Sequence, residues 1–226
     1  QINNYISSED KFFIAGGNGM AGNAIKKKLK EKGYGNINEG GAIFSPSRKE
    51  LDLLNQSAVQ RWFKENKPTI VILAAAKVGG IYANSKYPVD FLLENLKIQT
   101  NVIETSWQSN VRRFLFLGSS CIYPKLAKQP IKEEYLLESY LEKTNESYAI
   151  AKITGIKLCE ALKLQYGFDA FSLMPTNLYG PGDNYHPQNS HVMASLISKF
   201  CKAARNSSPE VTCWGTGKPM REFLHV

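Results

Sequence analysis

Tyr148 and Lys152 are the residues whose types and spacing most directly suggest chemistry. They stand four apart in the string YAIAK, so in a helix both side chains project from one face, about one turn apart. A free tyrosine holds its proton to about pH 10, and a neighbouring ammonium lowers that pKa. A phenol tuned in this way can donate and accept a proton near neutrality. Alone the pair is a weak signal, because Tyr and Lys at this spacing are more often ordinary helix residues.

A glycine-rich turn near the start of the chain supplies a second chemical signal. Residues 12–15 form a short apolar run that predicts a strand, and an amphipathic helix pattern follows the turn. The turn reads GxxGxxG, with Gly16, Gly19 and Gly22. Missing side chains there let a pyrophosphate approach the helix N-terminus and its free amides. The turn therefore predicts dinucleotide binding, with a tight turn and close helix packing as the structural alternative.

The segment after the second predicted strand, residues 42–45, indicates which dinucleotide binds. Enzymes that use NAD usually place an acid there, on the 2′-hydroxyl of the adenine ribose. This chain has Ser45, Ser47 and Arg48 instead. A guanidinium can pair bidentately with a 2′-phosphate, so the segment favours NADPH. The alternative is that Arg48 is only an exposed loop charge.

Strand and helix patterns alternate along the rest of the chain. Residues 57–65 predict a helix, TIVILAAAKVGG a strand buried on both faces, and residues 88–110 a long helix. RRFLFLGSSC predicts a strand that delivers Ser119 and Cys121 to the carboxyl edge of the sheet, where open α/β sheets bind ligands. The YAIAK helix continues to Tyr166, and FDAFSLMPTNLYGP predicts one further strand in which Phe171, Leu173 and Met174 belong to the core.

This alternation predicts an α/β fold: a Rossmann-type, doubly wound parallel sheet with helices on both faces. We expect a flexible arm over residues 1–10 and an NADP-binding Rossmann domain over residues 11–180. Residues 181–226, which are rich at first in Asn, His, Pro and Ser and then predict a helix from about residue 192 to 204, form the start of a smaller C-terminal substrate lobe. We expect that lobe to continue beyond Val226.

Composition excludes several classes of protein. The net charge is +8, but the Lys and Arg residues are spread along the chain, so we predict no nucleic-acid partner. There is no apolar run of about 18 residues and no signal-peptide pattern, so we predict no membrane association. The four cysteines lack CxxC spacing, so we predict neither disulfides nor a metal site, and a cytoplasmic setting.

These motifs together resemble those of a known family. GxxGxxG, a serine near a later strand end, YxxxK and the NLYGP turn at 177–181 resemble the extended short-chain dehydrogenase/reductases. The strings AAAKVGGI, LGSSCIYPKLAKQP, MPTNLYGP, NSHV and WGTGKPMREFLHV narrow the resemblance to the GDP-L-fucose synthase family, over residues 12–226. The resemblance implies NADPH-dependent conversion of GDP-4-keto-6-deoxy-D-mannose to GDP-L-fucose, by epimerisation at C3 and C5 and then reduction at C4. It also implies a homodimer that pairs the long helix near residues 90–108 and the YAIAK helix with their copies.

The resemblance also implies the catalytic residues. Ser119 and Tyr148 would hydrogen-bond the enolate oxygen, and Tyr148 would then give its proton during reduction. Lys152 would hold the nicotinamide ribose and keep Tyr148 acidic. Cys121 and His191 match the base and the acid of the epimerisation; their structural alternatives are a small buried hydrophobe and a satisfied polar residue.

Binding residues follow in the same way. The expected cofactor contacts are Gly16, Gly19, Met20, Gly22, Arg48, Asp52, Leu53, Ala74, Ala75, Lys152 and Leu178. The expected GDP-sugar contacts are Asn177, Lys199, Trp214 and Arg221. Two positions depart from the family pattern. Asn18 stands where a guanidinium is frequent, so the 2′-phosphate leans more on Arg48, and Lys199 replaces an arginine near the diphosphate.

Three other functions stay open at this point. An NAD-dependent nucleotide-sugar epimerase or dehydratase would prefer NAD over NADPH in a binding titration. A reductase or epimerase of another GDP-4-keto sugar, such as a heptose, would carry nearly the same motifs. A non-catalytic NADP-sensing regulator would use the same fold but typically lacks the Tyr/Lys pair, which this chain retains.

Overall fold

Five parallel strands form the sheet around which the chain folds. The computed structural model describes residues 6–186, 190–213 and 215–226. The strands are β1 (Lys11–Ala15), β2 (Ala42–Phe44), β3 (Ile70–Leu73), β4 (Arg113–Leu117) and β5 (Ala170–Leu173). Their order across the sheet is β2-β1-β3-β4-β5, and every neighbouring pair is parallel. The predicted Rossmann-type sheet is confirmed.

Helices connect the strands close to where the sequence pattern places them. They are α1 (Met20–Glu31), α2 (Gln56–Asn66), α3 (Ile81–Lys86), α4 (Pro88–Gln108), α5 (Glu146–Tyr166) and α6 (Val192–Arg205). The short helix α3 was not predicted, since six residues are too few to show a helical repeat. Of these helices and every other described segment, none combines the length and the apolar character needed to cross a bilayer.

The core lies mainly on one face of the sheet. Phe13, Phe114 and Phe116 point to this face and pack with residues of α2, α4 and α5. Each such fully buried phenylalanine contributes about 1.5–3 kcal/mol relative to an exposed one. On the other face a smaller cluster contains Phe12, against which Ile25 of α1 packs. The alternation of side chains along each strand thus distributes the apolar run between two layers of helices.

The segment FDAFSLMPTNLYGP forms two strands and not the single strand expected. β5 ends at Leu173, and Asn177–Tyr179 form β6, which pairs in parallel with β7 (Phe223–His225) in a separate two-stranded sheet. Pro175 lies between them; its carbonyl accepts from Ser120 N at 3.2 Å, but a proline has no N–H with which to continue the ladder. The residues before Pro181 therefore already pair with the last residues of the chain.

The core placement expected for Phe171 and Leu173 is wrong. Both lie on the face of the edge strand β5 opposite α5, and they are 39% and 50% exposed. Ala170 is buried on the face against α5, and Met174 packs on the core as expected. The pattern of an edge strand resembles that of a central strand, because periodicity does not reveal how far the covering helices extend.

The flexible arm expected over residues 1–10 is wrong for its second half. Ile6 packs against the smaller cluster, and Asp10 is buried. The Asp10 carboxylate accepts from Thr69 Oγ1 at 2.8 Å and pairs with Arg112 at 2.5 Å. These long-range partners immediately precede β3 and β4, so a polar sequence pattern could not reveal them.

Candidate active site

The carboxyl ends of β1 and β3 meet where the chain changes direction across the sheet. Ala15 pairs with Leu73, and the next residues, Gly16 and Ala74–Ala75, pack backbone against backbone. Gly16 has a φ of +82°, and a Cβ there would lie 2.7 Å from Ala75 N. Open α/β sheets bind ligands in the crevice at such a switch point. Gly16, Ala74 and Ala75 therefore lie where the sequence placed the cofactor.

The glycine turn presents the start of α1 to this crevice. Gly22 packs against the Gly16 carbonyl, which brings the helix close to the strand. Gly19 is the N-cap and makes no side-chain cap, and Met20 is the first helical residue. A Cβ on Gly19 would meet only the Gly16 carbonyl, at 3.4 Å. Packing within the protein therefore leaves room for a side chain at Gly19, but not at Gly16 or Gly22. Uncapped amides beside open space fit a dinucleotide pyrophosphate.

Cations surround the end of β2, the expected position of the 2′-phosphate. The Arg48 side chain is 75% exposed, and its Nε lies 4.0 Å from the Asp52 carboxylate. Lys26, on α1, donates to the Oγ of Ser45, the residue after β2, at 3.3 Å. Sequence reasoning missed Lys26, because three successive lysines on α1 look alike until the helix phase is known.

The predicted cofactor residues Asp52 and Leu53, in the loop after Arg48, both contact other parts of the protein. The Asp52 carboxylate accepts from Leu54 N at 3.1 Å, so it stabilises a local turn as well as pairing with Arg48. Leu53 packs against the main core, and its carbonyl accepts from Asn101 Nδ2 at 2.8 Å. Both residues lie on the segment that follows β2, and their contact with a cofactor stays a prediction.

Tyr148 and Lys152 lie on the inner face of α5, against β4. Lys152 is only 4% exposed, and its Nζ donates to the Leu117 carbonyl at 2.7 Å. The ammonium lies 4.9 Å from the centre of the Phe116 ring and 5.7 Å from that of Tyr148. Among the described residues the Leu117 carbonyl is its hydrogen-bond acceptor, which leaves two N–H donors for hydroxyls such as those of a ribose. The donor set fits the sugar of a nicotinamide nucleotide.

The electrostatics of this pair differ from the expectation. Burial, and then the negative charge that Cys121 would carry as a thiolate, raise the pKa of Tyr148 well above its ordinary value. Burial lowers the pKa of Lys152 to about 8, although the Cys121 charge opposes this. The expected lowering of the tyrosine pKa is wrong for the protein without ligands, because burial and the Cys121 charge both raise the pKa. Tyr148 is therefore a neutral phenol, ready to donate.

Ser119 and Cys121 follow β4 and complete the cluster. They belong to a short 3₁₀ turn in which Cys121 N donates to Ser119 Oγ at 3.4 Å. Burial raises the pKa of the Cys121 thiol, while a hydrogen bond with Ser119 and the charge of Lys152 act in the opposite direction. The structure thus brings together four of the five predicted catalytic residues: Ser119, Cys121, Tyr148 and Lys152.

The fifth, His191, lies at the start of α6. Its side chain is exposed. His191 occupies the N-cap position of that helix, but its side chain makes no capping hydrogen bond. The preceding residue, Ser190, places its carbonyl 3.0 Å from where a Cβ on Gly80 would stand, so this segment reaches the turn after β3. No hydrogen bond joins His191 to Cys121 within the described part of the chain. Its catalytic role stays a prediction.

The described GDP-sugar residues donate hydrogen bonds to backbone carbonyls of the C-terminal segments, outside the cluster of Ser119, Cys121, Tyr148 and Lys152. Asn177 Nδ2 donates to the Glu222 carbonyl at 3.0 Å, and Lys199 Nζ donates to the Thr212 carbonyl at 3.4 Å. Arg221 is exposed and donates to the Met220 carbonyl at 2.8 Å. Trp214 lies outside the described residues. Leu178, a predicted cofactor contact, pairs with Leu224 across β6 and β7.

Comparison with known proteins agrees with this geometry. Residues 12–226 match the model of the NAD dependent epimerase/dehydratase family. GDP-L-fucose synthase 1 of Arabidopsis thaliana is 53% identical over 226 residues, which are 100% of this chain and 68% of that protein. GDP-L-fucose synthase of Escherichia coli strain K12 is 52% identical, over 97% of this chain and 66% of its own length. The chain thus spans about two thirds of the curated relatives it matches.

A solved structure gives the same result. MlghC, a GDP-mannoheptose C4 reductase from Campylobacter jejuni with NADP bound, superposes with a TM-score of 0.86 at 39% identity. The match covers 97% of this chain and 70% of that one. The family match, the sequence identities and the structural superposition point to the same family. The chain therefore belongs to the NAD-dependent epimerase/dehydratase family and, within it, to the group that contains the GDP-L-fucose synthases.

Proposed function

We propose that this chain carries the cofactor-binding and catalytic part of an NADPH-dependent enzyme that converts GDP-4-keto-6-deoxy-D-mannose to GDP-L-fucose. The proposal depends most on one observation: Ser119, Cys121, Tyr148 and Lys152 converge at the carboxyl end of β4, the strand next to β3. The relatives named above supply the reaction, and the cluster supplies groups suited to each of its steps.

Epimerisation uses the acidity of the C–H bonds next to the ketone. Cys121 would take the proton from C3 and then from C5, and His191 would return one to the opposite side of each carbon. The resting thiol is neutral, so its deprotonation depends on Ser119 and on the positive charge of Lys152, which both lower its pKa. Ser119 and Tyr148 would donate hydrogen bonds to the enolate oxygen, where negative charge develops.

Reduction uses the same cluster in a different order. Tyr148, a neutral phenol, would give its proton to the oxygen at C4. Lys152, held by the Leu117 carbonyl, would orient the ribose and supply the nearby positive charge. NADPH, when bound, supplies the hydride. Gly16 and Gly22 let α1 lie close to the strand, and the α1 amides would hold the pyrophosphate.

A direct assay tests the reaction. The full-length protein is supplied with GDP-4-keto-6-deoxy-D-mannose and NADPH, and the loss of NADPH absorbance and the product are followed. We expect GDP-L-fucose to form in proportion to the NADPH consumed. An absence of NADPH oxidation would overturn the proposal.

The Cys121 assignment has its own test. Cys121→Ser should greatly slow the exchange of substrate C3 and C5 protons with D₂O, because an alkoxide is far harder to form than a thiolate. Wild-type exchange in this variant, measured by NMR, would show that another group is the base.

A second substrate is favoured by one comparison. The structural relative from Campylobacter jejuni is described as a GDP-mannoheptose C4 reductase, and it is 39% identical to this chain. A GDP-4-keto heptose should therefore be tested beside the deoxymannose substrate. A higher kcat/KM for the heptose would move the proposal to that sugar.

We also propose that the protein is a homodimer paired through α4 and α5. Val89 and Leu93 on α4 and Ile150 on α5 are exposed apolar residues on these two helices. Burial of such residues against a copy would remove apolar surface from water. Light scattering at micromolar concentration should give twice the monomer mass, and Leu93→Glu should lower it; a wild-type monomer would contradict the proposal.

A further inference from the structure

Helix α4 carries three side-chain amides inside the protein. Asn95, Gln99 and Asn101 are 2%, 3% and 9% exposed. A buried amide is costly unless it is hydrogen-bonded, so its partner shows why it is tolerated. Each of the three reaches the backbone of a different segment of the nucleotide site.

Asn95 holds the loop that follows β3. Lys77 N donates to Asn95 Oδ1 at 2.8 Å, and Asn95 Nδ2 donates to the Lys77 carbonyl at 3.0 Å and, within α4, to the Phe91 carbonyl at 2.7 Å. The Asn95 amide thus hydrogen-bonds both the N–H and the carbonyl of Lys77, as the backbone of a neighbouring strand would. The Lys77 ammonium also lies 2.6 Å from Glu94 and 3.3 Å from Asp90 on the same helix. This anchor lies directly after Ala74–Ala76, the wall of the crevice.

Gln99 holds the helix of the proton donor. Its Nε2 donates to the Ala151 carbonyl at 2.6 Å. Ala151 stands between Tyr148 and Lys152 on α5, so this bond limits rotation and sliding of the helix that carries both. The bond is buried, where the low local dielectric makes a hydrogen bond stronger than it is in water.

Asn101 holds the loop that follows β2. Its Nδ2 donates to the Leu53 carbonyl at 2.8 Å. Leu53 lies on the segment expected at the adenine end of the cofactor. By contrast, Ser106 and Gln108 on the same helix bond within it, to the Val102 carbonyl and to Glu104.

We infer that Asn95, Gln99 and Asn101 are positioning residues that tie the crevice wall, the proton donor and the adenine loop to one rigid helix. Each acts on a different property, because each bond goes to a different segment. Asn101 controls affinity for the dinucleotide, Gln99 controls turnover, and Asn95 controls the order of the loop at Lys77. The turnover part rests on the proposed function; the other two parts do not.

Binding tests the Asn101 part. Asn101→Leu, in the full-length protein, should raise the Kd for NADPH about tenfold, as the loss of one buried hydrogen bond predicts. Its kcat at saturating NADPH should stay within about twofold of wild type. An unchanged Kd in a folded variant would overturn this part.

Turnover tests the Gln99 part. Gln99→Met keeps the length of the side chain but removes the donor, and should lower kcat about tenfold with an unchanged Kd for NADPH. Its pH–rate profile should also shift at the alkaline limb, because Lys152 moves with α5. A normal kcat and profile would overturn it.

Hydrogen exchange tests the Asn95 part without any ligand. Asn95→Leu should speed exchange of the Lys77 amide about tenfold or more, whereas Asn95→Asp, which keeps the acceptor, should preserve its protection. Equal protection in the Leu variant would overturn this part.

Gln108→Met is the matched control, since it makes the same change on the exposed side of α4. It should leave the Kd, kcat and amide exchange unchanged. If the three buried variants lose affinity and turnover together, in proportion to a lower Tm, the amides are merely structural and the inference fails. If the wild-type protein turns over no GDP-sugar, the proposed function fails, while NADPH binding and amide exchange still decide this inference.

Discussion

The carboxyl end of the five-stranded sheet and the small β6–β7 sheet hold their candidate binding residues in two different ways. At the large sheet, Lys152 is buried and bonds the Leu117 carbonyl of a neighbouring strand. At the small sheet, Arg221 is exposed and bonds the carbonyl of the residue before it. The first region is organised by buried packing, whereas the side-chain hydrogen bonds of the second region are exposed.

The difference shows which part of the site is preformed. Parallel strands bring their carboxyl ends to one edge, so residues far apart in sequence meet there without any ligand. Of the described residues expected to bind the GDP-sugar, Asn177 begins the short strand β6, Lys199 lies within α6 and Arg221 lies in a loop, and their hydrogen bonds are exposed. NADPH binding at the large sheet should therefore tolerate substitutions in the β6–β7 region. Substitutions there should alter binding of the GDP-sugar independently.

The largest effect is expected from Tyr148→Phe. Removal of the hydroxyl keeps the ring but removes the proton donor, so kcat for reduction should fall about 10²–10⁴-fold. The Kd for NADPH and that for the GDP-sugar should change little. Steady-state kinetics and binding titrations measure these quantities; a variant with more than a tenth of wild-type turnover would show that the proton comes from elsewhere.

The next largest effect is the dependence of folding stability on pH that the buried Lys152 produces. Burial lowers the pKa of Lys152 to about 8, so below that pH the folded state carries a charge that it disfavours. The unfolded chain binds the proton more tightly, and stability from this group rises as pH increases from about 8 to 10.5. The drop from the ordinary value corresponds to about 3 kcal/mol.

Lys152→Met removes this titration. The variant should therefore be more stable relative to wild type at pH 7 than at pH 10, although the keto-sugar reduction is lost at both pH values. Urea unfolding at the two pH values measures the difference. A difference that stays constant with pH would mean that the buried amine does not titrate in this range.

Two glycines in the same turn should respond differently. Gly16→Ala forces a left-handed backbone on alanine and a contact with Ala75, and should cost about 1–3 kcal/mol of stability. Gly19→Ala faces open space and should keep the wild-type Tm, but the added methyl group should weaken NADPH binding about tenfold. Thermal unfolding and a titration separate the two. Loss of stability in Gly19→Ala would place that residue in packing and not at the pyrophosphate.

The smallest effect is expected in the second region. Arg221→Ala removes an exposed side chain, so stability should change by no more than about 0.5 kcal/mol. If the guanidinium contacts the diphosphate, KM for the GDP-sugar should rise about tenfold, with an unchanged Kd for NADPH. Arg48→Ala is the converse control, since it should affect NADPH and not the GDP-sugar. A shared effect of both changes would remove the distinction between the two regions.

Much of the cofactor half could be read from the sequence. The strands, the long helices α4 and α5 and the glycine turn have strong local patterns, and their observed bounds lie close to the predicted ones. The edge position of β5, the separate strand β6 and the burial of Asp10 could not be read in this way. Each depends on partners distant in the chain, and a local pattern carries no information about them.

The sequence by itself determined the parallel α/β fold, the glycine turn and the family, because these depend on local periodicity and on strings of residues at defined spacing. Only the tertiary structure decided that burial raises the pKa of Tyr148 and lowers that of Lys152 to about 8, because burial, unlike spacing, is a property of the whole packed sheet. It also decided which of the amides on α4 face inward, and so which segments of the site are tied together.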